Sequence, residues 1–263
     1  MKKFLDLSSW RTALGNLLPS AHGHQGGSRK AAIGSMLIMA MLFAACGDDD
    51  ATSSSSVTAD ETGSMTDSRD GKTYRTVKIG DQVWMAENLN YETVNSRCYD
   101  DDPANCAKYG RLYTWAAAVG KDVAACGYGY ECGLGSGDIR GACPKGWHLP
   151  SNDEWKALIV AVDGSITKYT SSNTAGSKLK SQTGWTACSG ITNEDAFGFS
   201  ALPAGNRDGN GRYYDEGNDA NFWSSTENNS YYAYNVGLYY DYDFAYLNYY
   251  NKNYEFSVRC LKD

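Results

Sequence analysis

Apolar positions recur along this chain in two rhythms. Trp155, Leu158, Ile159 and Val162 repeat at helical spacing behind Ser151-Asn152-Asp153-Glu154. That tetrapeptide is a capping box, in which the Ser151 hydroxyl accepts from the Glu154 amide and the Glu154 carboxylate reaches back to the Ser151 amide. The spacing predicts a helix from 152 to about 162. Residues 109–119 (YGRLYTWAAAV) also read as a helix, ended by Gly120, and 175–182 as a third, short one. Elsewhere the period is two. Thr73–Ile79 alternates, Gly80-Asp81 offers a turn, and 82–88 (QVWMAEN) continues the pattern, which predicts a hairpin. Strand-like alternation with Gly, Asn and Asp turns resumes at Phe197. Tyr232, Tyr234, Val236, Leu238 and Tyr240 share one face of a strand, with Ala233, Asn235, Gly237 and Tyr239 opposite. Phe256, Val258 and Cys260 share a face of the last strand. Helices first and antiparallel strands afterwards imply an α+β domain rather than a parallel βαβ array.

The first 45 residues follow neither rhythm. A basic segment (Lys2, Lys3, Arg11, Arg29, Lys30) precedes the apolar run AAIGSMLIMAMLFAA at 31–45, and Cys46 follows. The run is shorter than the roughly 20 residues a bilayer-spanning helix needs, so it reads as a targeting signal. Phe43-Ala44-Ala45-Cys46 resembles the lipobox of bacterial lipoproteins, in which the signal is cut before a Cys that then carries lipid. Phe43 departs from the usual Leu, Val or Ile, and a plain cleaved signal with a free thiol at 46 is the alternative. Residues 46–66 are acidic, rich in Ser and Thr and poor in large apolar groups, so they read as a flexible tether. Asp48-Asp49-Asp50 resembles the surface-export signal of Bacteroidetes lipoproteins; a solvated linker is the plainer reading. The organisation expected is a signal at 1–45, a lipidated Cys46 with its tether at 46–66, and one folded domain at 67–263. An outer-membrane lipoprotein facing the cell exterior, touching the membrane through its lipid only, is the expected location.

Charge and composition narrow the function classes. The formal net charge is −7 over 263 residues. Residues 1–45 hold five basic residues and one acidic residue, so the rest keeps 19 against 30, net −11. Such a chain does not suit nucleic acid or an anionic lipid surface. Ten of the 20 Tyr fall between 231 and 254. Aromatics suit a half-buried pleated surface; a stacking surface is the sharper reading. After Cys46 seven Cys remain, and in an exported protein they are disulfide candidates before they are metal ligands. Cys98–Cys106 and Cys126–Cys132 are natural local loops. Cys143 and Cys260 can join the middle of the chain to its last strand, and Cys188 is left over. No CxxC spacing occurs and His148 is the only His beyond residue 24, so no metal site and no cofactor are expected. Any Ser-His-Asp or Cys-His device must use His148, whose plainer role is to fix the turn before the capped helix. Carboxylate-pair hydrolysis of carbohydrate stays open, with no pair singled out.

Several segments carry a family resemblance: DGKTYRTVKIGDQVWMAENLNY (70–91), RCYDDDPANCAKYGRLYTWAAA (97–118), CGYGYECG (126–133), CPKGWHLPSNDEW (143–155), DAFGFSALPAGNR (195–207), NFWSSTE (221–227) and FSVRCLKD (256–263). Together they resemble the Fibrobacter succinogenes major paralogous domain, a family of exported proteins and lipoproteins. WHLPSNDEW, FWSST and SVRC also resemble the Legionella-collagen-like C-terminal domain and, more distantly, the C-type-lectin-like and formylglycine-generating-enzyme folds. The resemblance implies a C-type-lectin-like α+β domain with two to three helices, antiparallel strands and long irregular loops, and implies no activity. The Glu-Pro-Asn, Gln-Pro-Asp and Trp-Asn-Asp tripeptides of calcium-dependent lectins are missing, as is the C-terminal Cys pair of the formylglycine-generating enzymes.

Lectin-like folds carry their ligand loops where 207–221 (RDGNGRYYDEGNDAN) falls. Asp208, Asn210, Tyr213, Tyr214, Asp215, Asn218 and Asp219 are therefore the candidate ligand-binding residues. A calcium loop is broken here by Arg212 and Tyr213. A Gly-rich hairpin turn is the plainer reading of the segment, and Trp223 reads as core. The expected role is non-enzymatic binding of cell-wall polysaccharide or a partner protein, against a carbohydrate hydrolase or a purely structural envelope protein.

Overall fold

The computed structural model describes residues 60–166 and 174–263. The signal, the lipobox with Cys46 and the acidic run lie outside the described residues. Thirteen strands and five α-helices are described: β1 (Asp60–Thr66), β2 (Thr73–Ile79), β3 (Gln82–Met85), β4 (Ser96–Arg97), α1 (Pro103–Tyr109), β5 (Leu112–Thr114), α2 (Trp115–Ala118), α3 (Val123–Cys126), β6 (Trp147–His148), α4 (Asn152–Asp163), α5 (Ala175–Leu179), β7 (Ala204–Arg207), β8 (Tyr213–Glu216), β9 (Asp219–Glu227), β10 (Tyr232–Tyr239), β11 (Ala245–Asn251), β12 (Glu255–Ser257) and β13 (Leu261–Lys262). The domain mixes helix and sheet, with strands dominant. No described helix is long and apolar enough to cross a membrane.

The strands form two sheets. One runs β1-β2-β3-β13-β6, and the other β11-β10-β9-β7-β12-β5-β4 with β8 on β7. Pairing is antiparallel except where β9 meets β7 and β12. The β2–β3 hairpin closes through Gly80-Asp81 as its sequence indicates, with Ile79 opposite Gln82. Helix α4 starts at the capping box, with Ser151 Oγ 3.2 Å from the Glu154 amide and Glu154 Oε2 2.7 Å from the Ser151 amide. It ends at Gly164, whose φ of 75° few other residues adopt.

The apolar face of α4 unites the two sheets. Trp155, Leu158, Ile159 and Val162 pack with Val77, Ile79 and Trp84 of the first sheet and Phe222, Val236 and Leu238 of the second. Each such side chain contributes about 1.5–3 kcal/mol when fully buried. A second cluster gathers Met85, Leu89, Tyr113, Trp115, Trp223, Phe256 and Val258 around Cys143 and Cys260. Trp223 is thus core. Between the clusters lies Arg259, fully buried, with no carboxylate on its guanidinium among the described residues. Instead it donates to Asn88 Oδ1 (2.7 Å) and to the carbonyls of Met85, Phe199 and Ser200. Disulfides join Cys98 to Cys106, Cys126 to Cys132 and Cys143 to Cys260, the pairs read from the sequence, and leave Cys188 as a thiol.

Three expectations need correction. The stretch 109–119 is not one helix. Asp102 caps α1, with Pro103 in its first turn, and Gly110 (φ 75°) turns the chain away. Leu112 and Tyr113 then pair as β5 with Ser257 and Phe256, and Thr114 caps α2. Burial on both sides and β12's unpaired backbone outweigh helix propensity here. The tether also ends earlier than residue 66. Asp60–Thr66 pairs with β2, and Met65 packs on the second cluster. Finally, Phe256, Val258 and Cys260 do face one cluster, but the chain passes from β12 in one sheet to β13 in the other between them.

Candidate functional site

Strand β10 turns Val236 and Leu238 toward α4, which leaves Asn235, Gly237 and Tyr239 on the opposite face of the large sheet. Cross-strand partners share a face. Asn221 and Tyr246 flank Gly237, Asp219 lies opposite Tyr239, Asn248 opposite Asn235, and Tyr250 opposite Ala233. On β7, Asn206 shares this face and pairs with Tyr214 of β8. The result is a strip crossing β11, β10, β9, β7 and β8, about 19 Å wide at ordinary strand spacing.

Its exposed surface is aromatic, and the Asn206, Asn221 and Asn235 amides on the same face are buried. Tyr214, Tyr246 and Tyr250 are 41%, 38% and 39% exposed. Tyr250 also stacks edge-on with Tyr254 at 4.7 Å between centroids. Tyr239 folds back over the sheet, and its hydroxyl fills the space above Gly237. A Cβ at 237 would stand 2.7 Å from that oxygen and 3.3 Å from Asn221 Oδ1. Asn235 Nδ2 donates to Asn221 Oδ1 at 3.3 Å, while Asn235 Oδ1 accepts no hydrogen bond among the described residues. Burial raises the Tyr239 phenol well above its ordinary pKa, and the neighbouring Asp219 carboxylate adds to this. Burial likewise raises Tyr250 and Tyr254. All three therefore present neutral O–H groups near pH 7. Flat exposed rings beside phenol hydroxyls and the Asp215 and Asp219 carboxylates suit a neutral, hydroxyl-rich ligand.

The structure distributes the seven sequence candidates unevenly. Tyr214, Asp215 and Asp219 belong to this strip. Asp215 adopts φ 64° and lies 3.5 Å from Asn206 Nδ2. Asp208 is buried in the β7–β8 turn, where Oδ1 accepts from the Asn210 and Arg212 amides at 2.8 and 2.9 Å. Burial pushes its carboxyl up, but these amides outweigh that and hold it below the usual range. Asn210 belongs to the same turn. Tyr213 points to the other face, 5.1 Å from the Tyr99 ring and beside Arg207, and burial pushes it up to about 12. The Asn218 carbonyl accepts from the Tyr240 amide. The plainer reading, a Gly-rich hairpin turn, thus describes 208–212. Sequence reasoning offered the tyrosines between 231 and 254, Tyr239, Tyr246 and Tyr250 among them, as a stacking surface without singling any out, and placed no role on Asn206 or Asn221. The period-two pattern of β10 marked Asn235, Gly237 and Tyr239 as one face, and that was the available signal.

Two other features stand apart. A cavity of about 530 Å³ opens between β2, α1 and the loop after α5. Its cations are already paired: Lys72 with Asp70, Arg75 with Glu87 and Lys108 with Glu216. His148 lies between Glu154 and Asp263, each 2.9 Å from a ring nitrogen. Burial pulls the imidazole down, and the two carboxylates overcome this and raise it to about 9.

Residues 77–262 match the family model described as the Fibrobacter succinogenes major domain. The chain belongs to that family. No curated protein and no solved structure matches it. The match spans both sheets, from β2 to β13, and includes the whole tyrosine strip. In this Fibrobacter succinogenes major domain, β1 and the start of β2 precede the matched residues.

Proposed function

We propose that this protein is a lipid-anchored, surface-facing, non-enzymatic module that binds cell-wall polysaccharide on the tyrosine strip of its larger sheet. The observation that carries the reading is the alignment of Tyr214, Tyr239, Tyr246 and Tyr250 with Asn206, Asn221, Asp215 and Asp219 on one face. Exposed rings offer stacking area against the apolar face of a sugar ring, and the Asp215 and Asp219 carboxylates pair with its hydroxyls. A C-type-lectin-like fold is part of the reading. Its supports are WHLPSNDEW, FWSST and SVRC together with two sheets joined by a capped helix. The anchor is Cys46 after the lipobox, with Asp48-Asp49-Asp50 as the export signal.

Gel retardation on a panel of soluble polysaccharides, with reducing-sugar release measured in parallel, tests this. Retardation without release is the expected result. Tyr250→Ala removes an exposed ring, and Gly237→Ala drives the Tyr239 hydroxyl off its seat; both should weaken retardation. A chelator should leave it unchanged, because no calcium loop contributes. Sugar release would favour a hydrolase. Retardation unaltered in Tyr214→Ala, Tyr250→Ala and Gly237→Ala would remove the strip from consideration.

A further inference from the structure

Away from the tyrosine strip, three segments converge on one imidazole. Strand β6 supplies His148, which is 4% exposed. The first turn of α4 supplies Glu154, and the loop before β6 supplies Asp138. One nitrogen or oxygen from each lies within 4.8 Å of the other two.

The surroundings orient each group. Asp263 Oδ1 is 2.9 Å from His148 Nδ1, which leaves Nε2 to Glu154 Oε1, also at 2.9 Å. A carboxylate on the far nitrogen is the arrangement that orients metal-binding imidazoles. Ser151 donates its amide and its hydroxyl to Glu154 Oε2, at 2.7 and 2.8 Å, so Oε1 is the oxygen turned to the imidazole. The Leu149 amide donates to the Ile139 carbonyl at 2.9 Å, which fastens the loop carrying Asp138 beside β6. Charge is unbalanced here. Three carboxylates surround one imidazole, and among the described residues no Lys or Arg forms an ion pair with Asp138, Glu154 or Asp263.

We propose that Asp138, His148 and Glu154 form a site for one divalent transition-metal ion, with Asp263 orienting the imidazole. Ligation at Nε2 releases to solvent the proton that faces Glu154, and the dication in its place offsets more of the excess negative charge that the cluster otherwise holds. One imidazole with two carboxylates suits Zn²⁺, Co²⁺ or Mn²⁺ better than Mg²⁺ or Ca²⁺, which prefer oxygen alone. Metal–ligand bonds of about 2.0–2.2 Å require the three atoms to draw closer than their present spread. Asp138 is exposed and can supply that movement. Three protein ligands leave a position for water. The ion would tie the loop to the start of α4 and to β6, a staple remote from the tyrosine strip.

The test uses the purified protein stripped with a chelator, titrated with ZnCl₂ by calorimetry and followed by thermal unfolding. One Zn²⁺ per chain is expected, with a melting temperature raised by about 5–10 °C at a hundredfold excess over Kd. Mg²⁺ at the same concentration should leave it unchanged. His148 is buried and Glu154 caps α4, so variants at either can lose the fold. Asp138→Asn, on an exposed loop, is the decisive variant: it should fold like the wild type and bind Zn²⁺ at least tenfold more weakly. Cys188→Ser should bind like the wild type. The proposal is overturned by the absence of binding at millimolar Zn²⁺, by Asp138→Asn binding unchanged, or by loss of binding in Cys188→Ser.

Discussion

Removing the Cys143–Cys260 bridge should cost far more stability than removing either local bridge. Its loop spans 117 residues, against 8 for Cys98–Cys106 and 6 for Cys126–Cys132. Loop-closure entropy in the unfolded chain then gives about 4.9 kcal/mol for the long loop and about 2.5 and 2.2 kcal/mol for the short ones. Set against a total stability of about 5–15 kcal/mol, the long bridge accounts for a large share. Cys143 and Cys260 are both fully buried in the second core cluster. Alanine is the suitable replacement, because a serine hydroxyl there would lack a partner. For a folded unit of this size, each kcal/mol moves the melting temperature by about 2–4 °C. The Cys143→Ala/Cys260→Ala double variant should therefore melt about 10–20 °C below the wild type, and the two local double variants about 5–10 °C below. Peptide mapping without reduction establishes the Cys143–Cys260 linkage first, and denaturant or thermal unfolding monitored by circular dichroism then ranks the variants. Equal costs for all three bridges would refute the loop-length argument and place the stabilisation in native packing. Cys260 paired with Cys188 would refute the connectivity itself.

The two adjacent tyrosines of β8 should respond in opposite ways. Tyr213→Ala loses about 1–3 kcal/mol of stability through its contacts with Tyr99 and Arg207 and leaves polysaccharide retardation intact. Tyr214→Ala weakens retardation and leaves unfolding unchanged, and the reverse pattern would overturn the strand register argued for the strip. Asp208→Ala deprives two backbone amides of their acceptor and should cost about 1–3 kcal/mol near neutral pH. Because the folded carboxyl titrates below its unfolded value of about 3.9, its stabilisation is present above that pH and lost as pH falls through the folded value. Denaturation between pH 2 and 7 should therefore show wild type and variant converging at the acid end; a constant gap would contradict the assignment. Cys46→Ser should abolish incorporation of a fatty-acid analogue, and label retained in that variant would sink the lipoprotein reading. Replacing Asp48, Asp49 and Asp50 with Ala should keep the label but remove protease accessibility on whole cells, and unchanged accessibility would reduce the run to a tether.

Local features of this fold were legible in the sequence because their causes are local. Ser151 and Glu154 fix the start of α4 within four residues, and the spacing of Trp155, Leu158, Ile159 and Val162 sets its buried face. Gly80-Asp81 closes the first hairpin for the same reason. The cysteine pairs were readable from spacing and position, and the alternation of β10 already separated Val236 and Leu238 from Asn235, Gly237 and Tyr239. Only the tertiary structure decided what depends on partners distant in the chain. Leu112 and Tyr113 left a helix-like stretch because β12, more than 140 residues later, offers them backbone partners and burial. Asp60–Thr66 became a strand because the edge of β2 was open to it. The 207–221 segment divided the same way: Asp208 went to its own turn, whereas Tyr214, Asp215 and Asp219 joined tyrosines from β10 and β11. His148 met Asp138, Glu154 and Asp263 through three separate segments. Short-range hydrogen bonds and periodicity are written in consecutive residues, but which strand edges and carboxylates meet is set by how the two sheets close over α4.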